Sequence, residues 1–188
     1  MPNEIRFFDE AARVGEEIFA ALSHEASSGK IRSYFELSEK IYNLMVDVHD
    51  EVANLTVRVS LTSDLDEARH ALSRLDHDRL ADVFRVHDWC DEFEWLGNEL
   101  APLADELGLS QEDRDIWEEF CHSLSEREGE VAELYNSKLY DLRRLSEPQH
   151  SLDFIKDTVD HISETLVTQK AKFDLLAKKA RAMRHRMK

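Results

Sequence analysis

Only 5 Gly and 3 Pro punctuate 188 residues, and between these breakers apolar side chains recur at alternating spacings of three and four. Such spacing collects one stripe on one face of an α-helix, and a stripe of this kind is buried only against another element. The chain is therefore expected to be all-α: an elongated up-and-down antiparallel bundle of about five helices, four of them long, forming one domain over residues 1–188.

The helices follow from caps and breakers. The first is expected from Asn3 to Leu22, with Phe8, Ala11, Gly15, Ile18 and Leu22 inward and Ser27-Ser28-Gly29 stopping it. The second, from Lys30, carries Tyr34, Leu37, Ile41, Met45, Val48, Val52, Leu55 and Val59, an a/d repeat. Its end, Leu55 to Leu61, alternates like a strand, but no other segment offers a pairing strand, so it is kept helical. Tyr42, Val46, Ala53 and Val57 make a second stripe, as expected if this helix is central, the preferred reading, or if a partner covers it. Ser63 and Asp66 cap a third helix that Pro102 kinks near Asn98 and Gly108 ends. Ser110 caps a fourth, inward at Trp117, Phe120, Cys121, Leu142 and Leu145 and closed by Pro148. Ser151 opens a fifth, running almost to the C-terminus. Four helices of about 32 to 36 residues would each span roughly 50 Å.

Charge restricts the partners. The net charge is -16, yet residues 169–188 hold eight cations against Asp174, so this end is +7 and the rest of the chain -23. An acidic body repels nucleic acid and anionic membrane, leaving only the basic end, with Lys178, Lys179, Arg181, Arg184 and Arg186, as a partner contact or a solvated helix terminus that favours the helix dipole. No apolar run reaches the ~20 residues of a membrane span, and two cysteines make no disulfide framework, so a soluble cytoplasmic protein is expected.

Short turns make sequential helices antiparallel, and residues equidistant from a turn share a level. On that ruler Glu67-Ala-Arg-His70 and Glu119-Phe-Cys-His122, a spacing used by di-iron bundles, lie roughly 35 Å apart and share no metal pair. The ruler instead brings His49, His77 and His161 to one level, a candidate zinc or iron site or a pH-sensitive layer. It also brings Cys90 level with Cys121, as a pair of buried thiols or, in the alternative, a disulfide or metal pair. Trp89, Trp95 and Trp117 gather with Tyr34, Phe35, Phe93 and Phe120 at one end, as core or as the lining of a small-molecule pocket. Trp95 lies off its stripe, a candidate partner contact.

Phe19-Ala-Ala-Leu-Ser-His24-Glu25 resembles the phosphoacceptor box of sensor histidine kinases, which implies His24 as acceptor of a phosphotransfer bundle. The usual Arg-Thr-Pro-Leu sequel and a glycine-rich ATP lid are missing. The dipeptides His49-Asp50, His77-Asp78 and His87-Asp88 are similar to the metal-binding dipeptide of HD-type phosphohydrolases, without that family's earlier His, later Asp and glycine-bearing loops. No nucleophile elbow or phosphate loop is present. The expected function is non-enzymatic: an adaptor, scaffold or regulatory subunit that meets a protein partner, or a second copy, through helix faces and needs no cofactor.

Overall fold

A computed structural model describes residues 2–22, 25–75 and 86–187. All regular secondary structure among them is α-helical: α1 Pro2–Ala21, α2 Glu25–Leu61, α3 Leu65–Ser73, α4 Val86–Leu100, α5 Leu103–Glu106, α6 Gln111–Arg144 and α7 Leu152–Arg186. The expected five become seven among the described residues because the third helix is divided. Its first piece ends at Ser73, and a second begins at Val86 and stops at Leu100, where Pro102 instead opens the single turn of α5. Proline at a helix start gives up no intrahelical hydrogen bond.

Two expected boundaries shift. Ser28 and Gly29, expected to break the chain, lie inside α2. The buried residues Ile31, Tyr34 and Phe35 anchor this first part of the helix, and that packing outweighs poor local helix propensity. The cap of α3 is Asp64 rather than Ser63; its carboxylate accepts from the amides of Asp66 and Glu67. Ser110 and Ser151 cap α6 and α7 as their sequences predict, accepting from Asp113 and Phe154. Gly108, at φ 68°, supplies the left-handed residue between α5 and α6.

Helix α2 packs against α1, α3, α4 and α7. Its second stripe is accordingly covered at Tyr42 and partly at Val46 and Ala53, and open at Val57. Ion pairs and hydrogen bonds fix the direction of α7: Asp160 meets Ser60, Lys170 meets Asp50 and Arg181 meets Glu39, so α7 runs antiparallel to α2. Lys172 with Glu4, Lys179 with Asp9 and Arg186 with Glu16 place α1 parallel to α7.

At the aromatic end the buried rings pack on one another. Phe120 stands at its centre, 5.4 Å from Tyr34, 5.6 Å from Phe8, 5.7 Å from Phe35 and 5.9 Å from Trp117 between ring centroids. Trp117 donates its indole N–H to the Leu100 carbonyl at 2.9 Å, and Tyr34 donates its hydroxyl to the carbonyls of Phe120 and Cys121 at 2.8 and 3.0 Å. Satisfying these polar tips allows both large side chains to be fully buried. Gly97 of α4 lies against the Cys121 backbone, where a Cβ would strike the carbonyl oxygen.

Candidate functional site

The basic end of α7 is the most strongly charged feature of the sequence, and its side chains are spoken for. Lys172, Lys179 and Arg186 recur every seven residues on one flank and reach the carboxylates of α1. Lys170, Arg181 and Arg184 reach the carboxylates of α2 from the other flank. Lys178 pairs with Asp174 one turn earlier. Every cation from Lys170 to Arg186 thus holds a carboxylate of this chain, including all five expected to contact a partner.

Most of these pairs are half exposed and individually weak. Glu39 is different. Its side chain is 10% exposed and takes Arg181 Nε at 2.6 Å on one oxygen and Arg184 Nη2 at 3.0 Å on the other. Two guanidiniums from consecutive turns of α7 close on one carboxylate of α2, which pins the register of the two longest helices. Arg32 adds a bond at 2.9 Å to the Met187 carbonyl, placing a cation at the negative end of the α7 dipole.

That register separates the expected histidine layer. His49 is buried, bonds the Met45 carbonyl through Nδ1 and packs against Phe173 with centroids 5.8 Å apart. His161 is exposed and lies near the level of Ser60, roughly 15 Å farther along the helix axis. The sequence ruler failed here because α2 and α7 are not consecutive, and each intervening turn added its own error. His77 and His24 lie outside the described residues. Among the described residues no group of three or more His, Cys, Asp or Glu side chains is arranged to hold a metal ion.

The cysteines are displaced in the same way. Gly97 lies against Cys121 and Leu100 accepts from Trp117, so on the antiparallel α4 and α6 the Cys90 backbone sits roughly 10 Å along the axis from the level of Cys121. A disulfide needs Cα atoms within about 7 Å. The Cys121 thiol is buried, and burial first, then the charge of Glu118, raises its pKa well above the ordinary thiol value, which leaves it a poor nucleophile or ligand. Burial likewise raises Tyr34.

A cavity of about 190 Å³ opens between α1 and α7. Phe8, Ala12 and Met183 form its apolar side, and the Asp9–Lys179 and Glu16–Arg186 pairs cross it. At its edge Arg13 bridges Glu17 and Asp113. The Ser110 hydroxyl and Arg13 together hold the Asp113 carboxyl below its ordinary value.

Trp95, the apolar member of the expected contact set, is accessible. It is 54% exposed on the outer face of α4, whereas Phe93, Leu96 and Leu100 point inward. Lys30 from α2 lies 5.4 Å from the centre of its ring and pairs with Glu99 at 2.7 Å. Other large apolar side chains, Val57, Leu61, Tyr140 and Phe154, are exposed on α2, α6 and α7, with Leu61 at 82%.

Sequence reasoning missed Glu39. Its only signal was a cationic end with one local acid, which requires counter-charges elsewhere without saying where. Comparison with protein-family models, curated proteins and solved structures finds no match to this chain.

Proposed function

We propose that this is a non-enzymatic interaction protein of the cytoplasm, an adaptor, scaffold or regulatory subunit built as one elongated up-and-down helical bundle. The observation that carries this reading is the placement of exposed apolar side chains on helix faces, with Trp95 and Leu61 foremost. Single exposed apolar residues are ordinary, but a half-exposed tryptophan at mid-helix offers the kind of anchor protein interfaces use. Three of the groups considered for chemistry or binding are engaged within the chain: His49 packs against Phe173, Cys121 lies in the core, and the basic end pairs with α1 and α2. No helix among the described residues is long and apolar enough to cross a membrane, so helix faces are read as meeting protein.

Metal analysis of protein purified without a histidine tag, combined with light scattering across a concentration series, tests the reading. Metal-free protein that retains its fold is the expected result. Stoichiometric zinc or iron would contradict it and return attention to an internal site.

A further inference from the structure

The outer face of α4 has a composition that selects one kind of partner. Trp95 lies at the middle of the exposed arc, with Asp91 and Glu92 one turn before it, Glu99 one turn after it and Asp88 two turns before it, all exposed. The helix contains no Lys or Arg. Lys30 takes up Glu99, whereas Asp88, Asp91, Glu92 and Glu94 hold no ion pair among the described residues. The basic end of α7, the obvious internal source of counter-charge, is committed to α1 and α2.

We infer that the Trp95 face of α4 is a docking surface for a basic segment of a partner protein, one that lays a Lys or Arg side chain on the indole and its further cations on Asp88, Asp91 and Glu92. Lys30 already displays the required chemistry within the chain, with an ammonium over the Trp95 ring and bonded to an adjacent carboxylate. Charge complementarity commits the occupant. An acidic peptide, a nucleic acid or an anionic bilayer meets carboxylates that hold no ion pair among the described residues, set around the exposed Trp95, whereas a basic segment satisfies them. Trp95 gives the surface a fixed point, and the carboxylates give it orientation. This assignment rests on the interaction reading above and adds the face and the partner's chemistry.

The test uses the full chain and a blocked peptide, Ac-Arg-Leu-Lys-Arg-Leu-Lys-Arg-Leu-NH2, titrated calorimetrically at low ionic strength. The same sequence with Glu at each cationic position serves as control. The cationic peptide is expected to bind and the acidic one not. Trp95→Ala should weaken binding about tenfold or more. The triple variant Asp88→Asn, Asp91→Asn, Glu92→Gln should do the same, and Asp153→Asn, Asp157→Asn, Glu164→Gln, which removes equal charge from exposed positions of α7, should stay within about twofold. All substituted positions are exposed, and circular dichroism and thermal melts verify folding. Failure of the wild-type chain to bind, an unchanged affinity in Trp95→Ala, or equal weakening in both triple variants would overturn the assignment. None of these outcomes bears on metal content, so the proposed function stands or falls separately.

Discussion

The two ends of the molecule are built on different principles. Where the start of α2 meets α1, α4 and α6, rings interlock around Phe120, α4 closes on the α6 backbone at Gly97, and the C-terminal part of α7 is tied down by ion pairs on both flanks. Where α2 ends and α7 begins, the core is aliphatic, made by Leu55, Val59, Leu72, Ile155 and Val159, and Leu61 and Phe154 remain largely in solvent. The crowded end is held by ring packing, a close backbone approach and ion pairs, with Trp95 exposed on its outer face, whereas the aliphatic end relies on branched side chains. Stability is therefore not spread evenly along the helices.

Truncating each end should reveal the contrast most strongly. Phe120→Ala removes the ring shared by five aromatic neighbours and is expected to lower unfolding free energy by about 4 kcal/mol, while Leu61→Ala should change it by less than about 0.5 kcal/mol. Urea denaturation measures both, and similar losses would break the comparison. Gly97→Ala should cost about 3 kcal/mol, because the new methyl meets a helix backbone that cannot step aside. At Glu39, replacement by Ala leaves Arg181 and Arg184 facing each other without a carboxylate. A loss of about 2 kcal/mol is expected, below that for a fully buried pair because Arg181 is half exposed.

Smaller effects sharpen the picture. Gly29→Ala, inside α2 with open space at the Cβ position, should stabilise by about 0.5–1 kcal/mol, an outcome opposite in sign to Gly97→Ala. Alkaline pH should also act on the crowded end. Folding raises Tyr34 and Cys121 above their ordinary values of 10.0 and 9.0, so the folded state keeps protons that the unfolded chain releases. Stability is fully present below pH 9 and falls as pH rises beyond it. Urea midpoints measured across this range should fall less steeply in Cys121→Ala.

What could be read in the sequence was local. The all-α class, the helical path of Leu55–Leu61, the Ser110 and Ser151 caps and the inward set around Trp117 and Phe120 all follow from spacing within one helix. Relations between helices were much less legible. The levels of His49 with His161 and of Cys90 with Cys121 depend on register, which Glu39, Arg181, Arg184 and the Gly97 contact determine across long sequence separations. Ser28 and Gly29 misled for another reason, since their low helix propensity is overridden by burial of the residues that follow them.

The claim on which the comparison most depends is that the basic end of α7 holds its own chain together. Hydrogen exchange of α1 amides tests this directly, in the wild type and in the triple variant Lys172→Gln, Lys179→Gln, Arg186→Gln. Loss of three partly exposed pairs should speed α1 exchange by about tenfold and leave α3 and the C-terminal turns of α6 unchanged. Unchanged α1 protection, or a uniform increase along the chain, would contradict the account.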